Sequence, residues 1–151
     1  MPPLKRPVPV PGAVSEILRG DDGVKSCLED NPLPAGQQLS SWFIASRIHL
    51  GGPNETDLVV LANPQAEGIY PCFYSTAGIS WFWVFGQAGG QYRLVLKAPG
   101  NGLQVLNSKH NGFRDLQTGT IGQAGRYVTT VTFHFDGTRY QQYRKITQEQ
   151  P

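Results

Sequence analysis

The segment from Arg126 to Phe135 has the clearest hydrophobic pattern in the chain. Successive side chains alternate between two faces, and β-branched and aromatic residues dominate, which predicts a strand. The face predicted to be buried carries Tyr127, Val131, Phe133 and Phe135, and the wetter face carries Val128, Thr130, Thr132 and His134. Asp136-Gly137 follows at once, and an Asp-Gly pair between two strand-like runs is typical of a tight hairpin turn. The return strand is predicted from Thr138 to Tyr143.

Further short strands are predicted at a spacing of roughly 8 to 12 residues, each bounded by Gly, Pro or Asn. They cover residues 42–50, 58–62, 69–74, 80–85, 91–97 and 103–106. In the first, the side chains expected to point inward are Trp42, Ile44, Ile48 and Leu50. The run from Leu58 to Ala62 is apolar throughout, which predicts a central strand covered on both faces. The pattern therefore predicts a mainly β fold, at the margin of α+β, of antiparallel meander sheets.

The N-terminal section predicts helices after a tail. Residues 1–11 contain five prolines, which favour an extended tail or linker. Val14, Ile17 and Leu18 then share one helical face, but the segment 20–23 interrupts that pattern. Two short helices or one kinked helix should result, with Asp22 as the N-cap of the second. We expect a single β-rich domain from residue 12 to 145, followed by a C-terminal tail from 146 to 151.

Charge is unevenly distributed along the chain. The 151 residues fit one domain, and the net charge of +2 is too small to indicate a nucleic-acid partner. Residues 1–67 hold five basic and eight acidic side chains, whereas residues 68–151 hold eight basic and three acidic ones. The basic C-terminal half is expected either to face an anionic partner or to carry scattered, solvated Arg and Lys.

The two cysteines, Cys27 and Cys72, lie in neither a CxxC motif nor a Cys/His cluster, which argues against metal binding and a redox motif. We expect a disulfide closing a 46-residue loop, with two buried free thiols as the alternative. No apolar run approaches the roughly 18 residues of a membrane span. Met1 is the only methionine and is followed by no signal core, so we expect a mature domain, cut from a longer precursor, that is periplasmic or secreted.

Catalytic chemistry finds little support. The chain has three histidines, His49, His110 and His134. They are far apart in the sequence, and none has the spacing of metal ligands. Three aspartates, Asp57, Asp115 and Asp136, lie beside predicted turns. An Asp side chain next to a turn commonly accepts hydrogen bonds from backbone N–H groups. A catalytic pair of Asp57 and Asp115 is the alternative. We assign no catalytic residue, no metal ligand and no cofactor.

Binding is better supported, and the segment from Trp81 to Phe85 is the most concentrated apolar stretch. In a strand, Trp81, Trp83 and Phe85 share one face. The two tryptophans are expected either to stack on sugar rings or to pack in the core. The basic residues are not clustered by a nucleic-acid motif, so no nucleic-acid partner is expected. The candidate binding residues are Trp81, Trp83, Arg93, Arg114 and Arg139.

Four short segments lie within residues 45–143: Phe82-Trp83-Val84-Phe85, Gln91 to Leu96, Asn111-Gly112-Phe113-Arg114-Asp115-Leu116 and Phe135-Asp136-Gly137-Thr138-Arg139-Tyr140. Together they resemble a pattern of bacterial exported β-rich domains of uncharacterised function. An Asp-rich loop of that pattern is here replaced by Gly51 to Asp57, which lacks the acidic ligands. The resemblance implies export and a β layout, and no activity.

Three functions follow as hypotheses. The first is a non-catalytic exported protein-binding module, of the inhibitor or immunity type, that acts on a cell-envelope enzyme. The second is a carbohydrate or cell-wall binding module that uses exposed aromatic side chains. The third is a hydrolase of unspecified substrate. The oligomeric state does not follow from the sequence.

Overall fold

Two antiparallel β-sheets and a layer of helices form the fold, as seen in a computed structural model that describes residues 7–51, 56–66, 70–73 and 79–151. The strands are β1 (Pro7–Val8), β2 (Phe43–Ile48), β3 (Asp57–Ala62), β4 (Ser80–Ala88), β5 (Gln91–Gly100), β6 (Gly102–His110), β7 (Phe113–Gly122), β8 (Tyr127–Phe135) and β9 (Tyr140–Glu149). The helices are α1 (Gly12–Arg19), α2 (Asp22–Asp30) and α3 (Tyr70–Phe73), with a 3-10 helix at Leu39–Trp42. The predicted mainly β, antiparallel fold is confirmed.

The inner sheet has the strand order β1-β2-β3-β4-β5, so β3 is its central strand as predicted. All six residues of β3 are buried. Leu58, Val60 and Ala62 face the helices, while Val59 and Leu61 face the second sheet. The five residues from Leu58 to Ala62 are accordingly all apolar, because neither face of the strand meets water there.

Strand β4 divides its aromatic side chains between the same two layers. Trp83 and Phe85 pack on the helix side, and Phe82 and Val84 pack on the other side. Trp83 is wholly buried and makes edge-to-face contacts with Phe43 and Phe73 at centroid distances of 5.6 and 5.7 Å. The core interpretation of Trp83 therefore holds, and large aromatic area is buried between the helices and the inner sheet.

Asp21 connects the helix layer to the inner sheet. Its carboxylate accepts a hydrogen bond from Val24 N at 3.1 Å, so Asp21 and not Asp22 is the N-cap of α2. The same carboxylate accepts a hydrogen bond from Trp83 Nε1 at 3.1 Å and lies 2.9 Å from Lys97 Nζ. One side chain thus begins a helix and pairs a buried indole N–H.

The outer sheet has the order β6-β7-β8-β9 and covers the second face of the inner sheet. Asn111 and Gly112 join β6 to β7 with φ values of 50° and 86°, the left-handed backbone that a two-residue hairpin turn needs. The turn after β8 spans residues 136–139, and Asp136 accepts hydrogen bonds from Thr138 N and Arg139 N. The predicted closing hairpin is therefore confirmed.

Cys27 and Cys72 form the predicted disulfide, which links α2 to α3. Within the predicted strand 69–74, residues 70–73 form a helix instead, and residues 69 and 74 lie outside the described part. A proline at position 71 lacks the N–H that a sheet ladder uses, but it is tolerated in the first turn of a helix. The disulfide is typical of proteins that fold in a non-reducing compartment.

Several predicted boundaries differ from the observed ones. Pro7 and Val8 pair with Ser46 and Ala45, and β9 continues to Glu149, so the domain limits of 12 and 145 leave out paired residues. Strand β2 begins after Trp42. Phe43 and Ala45 pack on its helix side and Ile44 and Ile48 pack on its other side, because both faces of the strand are covered. In the part of the chain described, no helix is long and apolar enough to span a membrane.

Candidate functional site

A buried carboxylate with two imidazoles lies at the end of the outer sheet where β6 and β8 finish and β7 begins. The Asn111-Gly112 turn brings the end of β6 back along β7, which places His110 next to Asp115. The pairing of Leu116 with Phe133 places His134 of β8 next to the same carboxylate. Two hairpins therefore assemble residues that the sequence keeps 5 and 24 positions apart.

The carboxylate of Asp115 is held by neighbours on both sides. Its Oδ1 is 2.8 Å from His110 Nδ1, and its Oδ2 accepts a hydrogen bond from Ser108 Oγ at 2.6 Å. His134 Nε2 lies 3.6 Å from Oδ2. The Asp115 side chain is 2% exposed, against 45% for His110 and 23% for His134. The carboxylate is thus fixed and buried, and the imidazoles reach solvent.

Burial raises the pKa of Asp115, but hydrogen bonds from Ser108 and His110 and the charges of the two imidazoles outweigh it. The pKa of this carboxyl is therefore lowered from its ordinary value. Asp115 is accordingly an anion at neutral pH. A fixed anion beside two imidazole rings is an arrangement that attracts cations.

Three rings stack above this carboxylate. The centroids of His110 and His134 are 3.7 Å apart with an interplanar angle of 15°, and those of His134 and Tyr143 are 4.0 Å apart with an angle of 19°. Tyr143 occupies the position where the β8–β9 register shifts, between Gln142 and Arg144. This irregularity turns the tyrosine ring onto His134, and the ring remains 59% exposed.

The same face of the outer sheet carries an apolar patch, formed by Ile121, Val128 and Ile146. Ile121 pairs with Val128, and Ile146 pairs with Thr130, two residues along β8. Thr130, Val128 and His134 share a face because side chains alternate along a strand. Ile121 is 48% exposed and Ile146 is 40% exposed. The ring stack and the apolar patch therefore lie on one exposed face.

The predicted binding residues lie in separate places. Trp81 is 37% exposed with Lys97 Nζ 4.8 Å above its ring, whereas Trp83 is buried. Arg93 is exposed on β5, and Arg139 lies in the β8–β9 turn, where it helps to line a cleft of about 400 Å³. Arg114 donates from Nε to Leu106 O at 2.7 Å and from its second terminal nitrogen to Asn107 at 2.9 Å. Of the five predicted binding residues, Trp81 and Trp83 share a neighbour, because Lys97 Nζ lies over both of their rings.

The two carboxylates considered as a catalytic pair each have backbone or side-chain partners of their own. Asp57 accepts hydrogen bonds from Leu50 N and Gln87 N, both at 2.9 Å, and so connects the segment after β2 to the end of β4. Asp115 is held by Ser108 and His110. These contacts explain why two carboxylates are buried in this fold.

Sequence reasoning missed the group of His110, Asp115 and His134. The spacing of histidines and carboxylates along a sequence reveals ligands that lie on the same helix or strand. This group could not be found in that way, because its members lie on three different strands. The signal that was present is the pair of hairpins. With β6–β7 turning at Asn111-Gly112 and β7 pairing with β8 at Leu116, the three side chains must meet.

A scan against family models, a search of curated proteins and a search of solved structures each find no match to this chain. Function is therefore inferred from the residues and their geometry alone.

Proposed function

We propose that the chain is a non-catalytic, exported protein-binding module that recognises its partner through the exposed face and the free edge of the outer sheet. The observation that carries this proposal is the coincidence of exposed Ile121, Tyr143 and Ile146 with a ten-residue edge strand. Large apolar side chains grouped on one face beside polar residues are typical of protein–protein contact sites.

Strand β9 offers a backbone surface for such a partner. It is the last strand of the outer sheet, and every residue from Gln141 to Glu149 is exposed. An extended segment of another protein adds to such an edge through main-chain hydrogen bonds, while side-chain contacts supply specificity. Tyr143 and Ile146 are positioned to supply those contacts.

Charge selects the kind of partner. Residues 102–151 contain six basic and three acidic side chains, and Arg144 and Lys145 lie next to each other on β9. A second copy of this chain would bring like charges together at that edge, and charged edges oppose self-pairing. The partner supported by this charge is a protein with an acidic extended segment.

Export defines where such a partner would be found. The disulfide supports a periplasmic or secreted location, and an enzyme of the cell envelope that the module inhibits is the partner class we propose. The glycan alternative has less support, because Trp83 is buried and leaves Trp81 without a second exposed ring on that strand. The hydrolase alternative has less support, because Asp57 and Asp115 hold structural groups.

The test measures partner binding by matched charge-reversal variants. The tagged full chain is incubated with envelope proteins of its native host, and the retained protein is then purified and titrated calorimetrically. We expect Arg144→Glu with Lys145→Glu to weaken binding at least tenfold. Arg19→Glu with Lys25→Glu, which changes the charge equally on exposed helix positions, should leave binding unchanged.

Hydrogen exchange locates the contact independently of charge. On complex formation, backbone amides of β9 should become protected, while those of α1 should not change. Retention of no envelope protein would contradict the proposal. Equal loss of binding in both charge-reversal variants would contradict it as well, because binding would then depend on net charge and not on β9.

A further inference from the structure

The His110, Asp115 and His134 group contains the donors of a metal site. It offers two imidazole nitrogens and one carboxylate oxygen, and these atoms all lie within 4.8 Å of one another. Two ligand atoms bound at about 2.0–2.2 Å to the same zinc ion lie roughly 3–3.5 Å apart in a tetrahedral site. His110 Nδ1 lies 2.8 Å from Asp115 Oδ1 and His134 Nε2 lies 3.6 Å from Oδ2, so each imidazole is close to this spacing from one of the two carboxylate oxygens.

We propose that His110, Asp115 and His134 bind one divalent first-row transition-metal ion at the exposed face of the outer sheet. Two imidazoles and one carboxylate suit zinc, copper, nickel or ferrous iron. Calcium and magnesium are disfavoured, because they prefer an all-oxygen ligand set. The inference is separate from partner binding, since the chain alone supplies all three donors.

The surroundings of Asp115 prepare it as a ligand. Ser108 Oγ donates to Oδ2 at 2.6 Å, which fixes the carboxylate plane and leaves Oδ1 directed at His110. Ligating carboxylates are commonly oriented by such a hydrogen bond. Binding of the ion would replace the hydrogen bond between His110 Nδ1 and Asp115 Oδ1 with two metal–ligand bonds, and the displaced proton would pass to water.

The imidazoles must turn to share an ion. Their planes are 15° from parallel, so the nitrogen lone pairs lie side by side and do not converge. His110 is 45% exposed and has room to rotate away from the stack, whereas His134 is held between His110 and Tyr143. Because His110 is the more exposed of the two imidazoles, water would complete the coordination of the ion on that side.

The test titrates tag-free, chelator-treated full chain with zinc chloride, using a chromogenic chelator as competitor. The expected result is one zinc per chain. His110→Ala and His134→Ala should each weaken zinc binding at least tenfold. His49→Ala, which removes the histidine outside the group, should bind zinc as the wild type does.

One further variant and further measurements on His110→Ala separate donor loss from structural damage. Tyr143→Ala removes a stacking ring but no donor, and should retain zinc. His110→Ala alters a half-exposed side chain, so its circular dichroism and melting temperature should match the wild type without zinc. Cobalt substitution should give visible d–d absorption in the wild type that is lost in His110→Ala. Binding of less than half a zinc per chain, or equal affinity in all three histidine variants, would overturn the proposal.

Discussion

Asp21 joins three stabilising interactions in one carboxylate, and replacing it should cost more than a surface substitution. Asp21→Ala removes the N-cap of α2, which costs about 1 kcal/mol. It also leaves the indole N–H of buried Trp83 without its partner, which costs roughly 1–3 kcal/mol. The ion pair with Lys97 adds up to about 1 kcal/mol, because the Lys97 side chain is 30% exposed. We expect a loss of about 3 kcal/mol in the free energy of unfolding.

Urea denaturation followed by tryptophan fluorescence measures this loss. About 3 kcal/mol corresponds to a fall in melting temperature of roughly 6–12 °C for a chain of this size. Asp22→Ala is the matched control, because Asp22 is the neighbouring exposed carboxylate and does not cap the helix. It should cost less than about 0.5 kcal/mol. The reasoning is refuted if Asp21→Ala costs under 1 kcal/mol, or no more than Asp22→Ala.

Three other outcomes follow from the fold. Reduction of the disulfide should lower the free energy of unfolding by about 4 kcal/mol on a loop-entropy basis, seen as a lower urea midpoint with reductant. Gly51→Ala should cost about 1–3 kcal/mol in the same assay, because its Cβ would lie 2.6 Å from the Phe113 ring, whereas Gly119→Ala meets no atom within 4 Å and should cost little. Hydrogen bonds from Arg139 N and Thr138 N lower the pKa of Asp136. The stability that this carboxylate contributes is therefore present above pH about 4 and is lost as pH falls through the folded-state pKa. Asp136→Asn should flatten the acid side of the plot of unfolding free energy against pH.

Local signals in the sequence predicted much of the fold. The apolar run of β3 indicated the central strand, and Asp136-Gly137 indicated the closing hairpin, because each depends on neighbouring residues. The helix at Tyr70–Phe73 was not predicted. Its apolar and aromatic residues also suit a strand. The position of the helix depends on the disulfide to distant Cys27 and on the contacts of Phe73 with Phe43 and Trp83.

The group of His110, Asp115 and His134 could not be predicted without knowing the register of the strands. Its third member, His134, is positioned by the turn between β7 and β8, where Gln123 and Ala124 adopt φ values of 50° and 55°. Gly122 and Gly125 indicate a turn here, but neither Gln nor Ala favours left-handed backbone, so the sequence does not indicate the geometry of the turn or the register that follows it. The register of β8 against β7, and with it the approach of His134 to Asp115, follows only from the three-dimensional pairing.

The strand order has a consequence for synthesis. All strands of the inner sheet, the helix layer and the disulfide lie within residues 7–100, and the outer sheet follows entirely after them. A growing chain can therefore complete its first half before the second half exists. At that stage the face formed by Val59, Leu61, Phe82 and Val84 is uncovered, since among the described residues the layer packed against this face is the outer sheet. A chain ended at residue 101 should consequently aggregate, and the nascent protein must be protected until its last four strands arrive.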